Sequence, residues 1–241
     1  MEGFMKTAFV AGATGFTGRE VVRLLVGRGI RTVAHLRPDT ADISGWRTRL
    51  SSMGAEVDET PWEGAAMSAT LTRLNPDAVF SLLGTTRARA KAEKARTGSD
   101  VNYDRVDYGL TVLLFHAAEK AASGPVFLML SAAGTGPNPS SAYFRAKWKA
   151  EEEVRAGVLR WIIARPSFIT GEGRDEKRPL ETAGLKLADG ALALAGVLGA
   201  KALRARYRST TNGELAAALV KLAADPAAAN RIFESEELRD R

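Results

Sequence analysis

Residues 7–25 read TAFVAGATGFTGREVVRLL, Thr7 to Leu25, and this stretch decides the fold. An apolar run, Thr7-Ala8-Phe9-Val10, meets three glycines spaced three apart, Gly12, Gly15 and Gly18. An amphipathic run then follows from Arg19 to Arg28, with Val21, Val22, Leu24 and Leu25 apolar. Strand, glycine loop and helix in that order are the context of a dinucleotide-binding turn. Glycines let the chain turn tightly and bring backbone N–H groups against a pyrophosphate, whose charge then sits at the positive end of the helix. The spacing is G-x-x-G-x-x-G, not the G-x-G-x-x-G of dehydrogenases that carry a separate substrate domain.

Outward from this loop, short β-rich runs alternate with helical ones. Strands are expected at 32–36, 55–57, 78–83, 126–130 and 161–164, with helices at 43–53, 65–74, 100–122 and 141–156. That alternation predicts βαβ units with right-handed crossovers, hence an α/β, Rossmann-type doubly wound parallel sheet. Beyond Arg165 the alternation fades into a polar loop, an Ala/Leu-rich helix over 180–198 and a helix over 213–224 capped by Thr211. The expected organisation is a single NAD(P)-binding domain over 1–241, with a core of about 6–170. A small substrate-side extension over about 171–241 would cover the carboxyl ends of the strands.

Hydrophobic residues make up 45% of the 241 and charged residues 26%, a balance that supports a sizeable core and excludes a disordered or fibrous chain. The formal charge of +6 favours anionic partners. Arg87, Arg89, Lys91, Lys94 and Arg96 face only Glu93, which reads either as a solvated basic face or as an anion-facing rim. No nucleic-acid-binding motif accompanies the charge, so no nucleic-acid partner is expected. The absence of cysteine removes disulfides and thiolate metal sites. His35 reads as a structural histidine, and no metal is expected. The first residues lack a signal pattern and the uncharged run 191–200 is too short to span a bilayer. The expectation is therefore a cytoplasmic protein with no membrane partner.

Two further places carry chemistry. The second strand ends at Arg37, nineteen residues after Gly18, where an NAD site usually has an acidic residue for the ribose 2′-hydroxyl. A guanidinium forks onto phosphate oxygens instead, which predicts NADP(H) over NAD(H). Tyr143-Phe144-Arg145-Ala146-Lys147 is a Y-x-x-x-K on a helix, and the preceding strand ends in Ser131, twelve residues upstream of Tyr143. Positions i and i+4 share a helical face, so Lys147 sits beside the Tyr143 ring. A neighbouring ammonium favours phenolate and is expected to lower the tyrosine pKa, giving a general acid or base.

These pieces, in order "GATGFTG", "LLGTTR", "VNYDRV", "YFRAK" and "ARPSFITG", resemble the short-chain dehydrogenase/reductase superfamily. The likeness is to its atypical and extended branches, and most of all to the Tat-interacting-protein reductase-like group. That group shares "LGTTR" and a later R-x-E-x-R-P loop, here Arg174 to Pro179. The resemblance covers about residues 6–180. It implies a pyrophosphate loop of Gly12, Thr14, Gly15, Phe16, Thr17 and Gly18, and a ribose side lined by Leu83, Gly84 and Thr85. It implies Asn102 on a proton-relay water, Tyr143 exchanging a proton with the substrate oxygen, Lys147 on the nicotinamide ribose, and Pro166 and Ser167 against the nicotinamide. Two departures stand out. The strand end reads Ser131-Ala132-Ala133 where the family commonly has paired serines, which bears on Ser131 as the group that polarises substrate. Thr60-Pro61-Trp62 stands where an adenine-binding Asp is common.

The function expected from residues and resemblance together is NADPH-dependent reduction of a small-molecule carbonyl. Two alternatives remain: an NADPH-binding sensor or protein-partner module with little turnover, and a sugar-nucleotide epimerase-like enzyme. The long helix at 100–122 is apolar on more than one face, which allows a homodimer through it.

Overall fold

The computed structural model describes residues 5–85, 103–171 and 209–241, with Ala95 and Gly98. Asn102, the basic run around residues 87–96, the Arg174–Pro179 loop and the helix expected over 180–198 lie outside the described residues.

Strands β1 (Thr7–Ala11), β2 (Arg31–His35), β3 (Glu56–Asp58), β4 (Ala78–Ser81), β5 (Val126–Leu130) and β6 (Trp161–Arg165) alternate with helices. These are α1 (Phe16–Gly27), α2 (Ile43–Ser52), α3 (Gly64–Leu74), α4 (Thr111–Ala118) and α5 (Ala142–Ala156). A short pair follows, β7 (Ile169–Thr170) with β8 (Thr210–Thr211), then α6 (Asn212–Ala224), β9 (Arg231–Glu234) and α7 (Ser235–Arg239). The main sheet has seven parallel strands in the order β3-β2-β1-β4-β5-β6-β9. The expected Rossmann-type fold is what forms.

The apolar runs of the central strands are continuous because both of their faces are covered, whereas the edge strands β3 and β9 keep charged, partly exposed residues. Along β1, Ala8 and Val10 pack with Val21, Val22 and Leu25 of α1 and Leu215 and Leu219 of α6. Phe9 and Ala11 point the other way, into a core with Leu71 of α3, Leu114 and Phe115 of α4 and Val154 of α5. The same alternation splits Phe80 from Val79, and Leu128 from Phe127 and Met129.

The C-terminal part departs from the expected boundary. Residues 212–239 supply the edge strand and two helices of the sheet layer itself, instead of a cover over its carboxyl ends. Thr211 does cap its helix: its hydroxyl accepts the Glu214 N–H while the Glu214 carboxylate accepts the Thr211 N–H. This capping box satisfies two otherwise orphaned donors. The helix expected from residue 100 to 122 also differs. Its described part is a π-helical segment, Asp104–Leu110, running into α4.

Sheet order reverses between β1, whose chain continues to β2 on one side, and β4, which flanks it on the other. Such a switch point opens a crevice at the carboxyl ends of the strands, where ligands bind in open α/β sheets.

Candidate functional site

The crevice is a cleft of about 230 Å³. Gly15, Phe16, Thr17 and Gly18 form one end, and Leu83, Gly84 and Thr85 the floor beyond β4. Ser131, Tyr143, Lys147, Pro166 and Ser167 form the other end. The structure thus gathers twelve of the expected site residues around one space. Gly12 and Thr14 lie in the loop but not on the wall, and Arg37 lies beyond it, its Nε 3.6 Å from Asp39 Oδ1.

The loop is built for close approach. Gly12 has φ +85°, a left-handed backbone in which a Cβ would stand 2.5 Å from the Leu82 carbonyl oxygen. A Cβ on Gly18 would stand 2.1 Å from the Gly12 oxygen, so the first turn of α1 packs directly on the loop backbone. The loop is closed by the Gly15 N–H donating to the Gly12 carbonyl at 2.9 Å. At the N-terminus of α1, Gly15 offers no capping side chain and the first turn holds no acidic residue. No side-chain oxygen or carboxylate therefore offsets the positive dipole end of α1, which faces the cleft and favours an anion there. A pyrophosphate group fits this cradle.

At the other end, α5 carries the reactive pair. Ser141 caps that helix by accepting the Phe144 N–H, which fixes its start next to the cleft. The Lys147 side chain is 3% exposed and its Nζ donates to the carbonyls of Leu83 at 2.9 Å and Leu130 at 3.0 Å. Its third proton faces the Asp107 carboxylate, whose Oδ1 lies 3.1 Å away, so a ribose hydroxyl would have to share the ammonium with these acceptors. Lys147 Nζ lies 6.0 Å from the centroid of the Tyr143 ring. Burial pulls the lysine down, but the Asp107 carboxylate and Tyr143 outweigh it and the pKa is raised. The ammonium stays charged.

Tyr143 differs from the sequence expectation. Burial raises its pKa, Lys147 lowers it, and Asp107 and Tyr103 raise it further. The net shift is upward, because removing a phenolate from water costs more than one ammonium restores. Tyr143 therefore holds its proton across neutral pH. Its ring meets Tyr103 edge-on at 5.3 Å between centroids.

Ser131 lines the cleft, but its hydroxyl is engaged behind it. It donates to Glu151 Oε1 at 2.5 Å, and a hydroxyl has one proton to give. Glu151 is fully buried and accepts both Nε and Nη2 of Arg165, which also reaches Glu234 at 2.9 Å. Toward the cleft Ser131 presents lone pairs.

The sequence reading missed Asp107 and Glu151. Both are fully buried. Glu151 stands one turn past Lys147 on the same helical face, a spacing that could have been read. Asp107 sits in the π-helical segment, where a 3.6-residue period does not apply. His35, as expected, is structural: its Nε2–H donates to the Thr60 carbonyl at 2.8 Å, and its ring packs against Phe9 and Trp62.

Comparison with known proteins bears on this geometry. A family model described as NAD(P)H-binding matches residues 12–226. The chain is 33% identical over 182 residues to protein fmp52, mitochondrial, of Aspergillus niger, spanning 73% of this chain and 72% of that protein. The fold resembles that of the Bordetella bronchiseptica enzyme WbmH solved with NAD+, with a TM-score of 0.64, 18% identity, and 96% of this chain and 76% of that one covered. It also resembles ChuY, an anaerobillin reductase of Escherichia coli O157:H7, with a TM-score of 0.61, 17% identity, and 94% and 95% covered. These likenesses fit the extended short-chain dehydrogenase/reductase branch expected from the motifs. One expectation is corrected: the fungal relatives are named mitochondrial, which overturns the cytoplasmic assignment. Among the described residues, no helix is long and apolar enough to cross a membrane.

Proposed function

Because the chain belongs to the NAD(P)H-binding family, we propose that it is an oxidoreductase that reduces a carbonyl on a small molecule, with NADPH preferred over NADH. The observation that carries the reading is the placement of Tyr143 and Lys147 across one cleft from the uncapped N-terminus of α1. Gly15 to Gly18 would hold the pyrophosphate, Leu83 to Thr85 and Lys147 the ribose, and Pro166 and Ser167 the nicotinamide. The bound cofactor would supply the hydride. Tyr143, which keeps its proton, would deliver it to the developing alkoxide, and the charged Lys147 would stabilise the phenolate left behind. Ser131, whose own proton is given to Glu151, would accept from the hydroxyl of the alcohol product and not polarise the carbonyl. The cofactor preference rests on Arg37, two residues past the end of β2, whose guanidinium would turn from Asp39 to fork onto a 2′-phosphate.

Tyr143→Phe tests this. It should abolish NADPH consumption with a carbonyl panel, a loss of roughly 10²–10⁴-fold, while NADPH still raises the thermal midpoint. Turnover equal to wild type would refute the role of Tyr143.

A second reading is favoured by one observation, the commitment of Ser131 to Glu151, which leaves substrate polarisation to Tyr143 alone. On that reading the protein binds NADPH and turns over little. Stabilisation by NADPH without consumption on any carbonyl would select it.

A further inference from the structure

Lys147 does not stand alone behind the cleft: a buried acid, Asp107, is packed against it. Asp107 Oδ1 meets the Lys147 ammonium at 3.1 Å, with the two side chains 0% and 3% exposed. Its second oxygen, Oδ2, accepts the Thr85 N–H at 3.2 Å. Among the described residues, Oδ1 has the Lys147 ammonium as its one polar neighbour in reach, so the ion pair is what holds it in place. Gly84 leaves the room: a Cβ there would lie 3.3 Å from Asp107 Oδ1 and 3.8 Å from Lys147 Nζ. Gly84 and Thr85 are also cleft wall, so the pair stands directly behind the surface that a ligand would touch. Asp107 reaches this position from the π-helical segment, a local geometry often found at functional sites.

We propose that Asp107 is a charge-balancing and positioning residue for Lys147, which fits Tyr143 to donate a proton to substrate rather than to withdraw one. The proposal rests on the carbonyl-reductase reading. An ammonium with no counter-charge would pull the buried Tyr143 toward phenolate, the form that removes a proton from an alcohol. Asp107 cancels that pull at close range in a low-dielectric wall, where charges are felt strongly. The charged and titratable groups around Tyr143 are Lys147 on its own helix and Asp107 and Tyr103 from the π-helical segment, with Glu151 acting on Lys147 from the next turn. Of these, Asp107 is the acid in contact with the ammonium.

The test is the phenolate titration of the cofactor-free protein by ultraviolet absorbance, with Tyr143→Phe subtracted to isolate the Tyr143 component. No turnover is needed, so a protein that never reduces a carbonyl still gives an answer, and failure of the reductase reading stays separate. Asp107→Asn should move the Tyr143 titration to lower pH, and Asp107→Glu should return it toward wild type. Lys147→Met should move it to higher pH, and the neutral double variant should fall between the two single variants. If Asp107→Asn does not fold, Lys147→Met against the double variant reads the same charge, because the double removes both buried ions together. A Tyr143 titration that ignores Asp107 in both comparisons, or that rises on removal of its charge, would overturn the proposal.

Discussion

Replacing Gly18 by alanine sets two effects of opposite sign against each other. Gly18 is the third residue of α1, where alanine is favoured over glycine by about 1 kcal/mol on helix propensity. The added Cβ would stand 2.1 Å from the Gly12 carbonyl oxygen and 2.9 Å from its carbon, in a range under 3.0 Å that real Cβ contacts essentially never enter. Both neighbours are backbone, and the Gly12 oxygen already accepts the Gly15 N–H. Relief therefore requires the start of α1 to back away from the loop. Overpacking of this kind costs about 1–3 kcal/mol, and weakening the loop hydrogen bond adds about 1 kcal/mol. After the propensity gain, the net loss is about 1–3 kcal/mol, or roughly 2–12 °C in Tm for a chain of this size. Gly27→Ala is the control. It is the last residue of the same helix, and a Cβ there meets nothing within 4 Å. That variant should gain about 0.5–1 kcal/mol and rise by roughly 1–4 °C. Thermal unfolding measured without and then with NADPH reads both consequences. Gly18→Ala should also lose cofactor-induced stabilisation, while Gly27→Ala keeps it. The reasoning fails if both variants shift in the same direction, or if Gly18→Ala matches wild type with and without NADPH.

The buried His35 makes stability depend on pH. Burial lowers its pKa, so the unfolded chain takes up a proton near pH 6.5 that the folded imidazole resists. Its contribution is present above that pH and is lost as pH falls toward the folded value. Urea midpoints should decline across this window in wild type and less in His35→Gln; equal declines would remove His35 as the source. Glu151→Leu should cost about 1–3 kcal/mol by urea unfolding, since it removes the buried acceptor of Ser131 and leaves Arg165 with Glu234 as its remaining carboxylate; a variant as stable as wild type would contradict this network. Ser131→Ala should cost about 1–3 kcal/mol in stability, and a variant as stable as wild type would contradict the hydrogen bond to Glu151. Arg37→Ala should cut the ratio of NADPH to NADH affinity roughly ten- to a hundredfold by titration, with an unchanged ratio refuting its contact with the 2′-phosphate.

What could be read in the sequence follows from how local its cause is. The glycine loop is legible because tight turns and close backbone approach are set within seven residues. The Tyr143–Lys147 pair is legible because helix geometry fixes an i, i+4 contact. β9 was not legible: Arg231-Ile232-Phe233-Glu234 is four residues with charged ends, and only pairing with β6 makes it a strand. Asp107 escaped because its contact with Lys147 spans forty residues of sequence and starts from a segment outside the helical period. The direction of the Tyr143 shift escaped for a related reason. The ammonium is visible as a spacing, whereas the depth of burial and the opposing carboxylate are properties of the assembled wall.

The packing of α6 on α1 has a consequence for how the chain is made. Val21, Val22 and Leu25 are synthesised long before their cover, Leu215 and Leu219, which lies far downstream in the sequence. The first βα unit, which contains the cofactor loop, must therefore wait with an apolar face open until α6 is out. A nascent chain in that state is a natural client for a chaperone. A stop codon before α6 would yield a product that carries the nucleotide loop yet fails to stay in solution. Quality control of the cofactor loop is thus written in a distant segment: the folding of α6 reports that α1 has been reached.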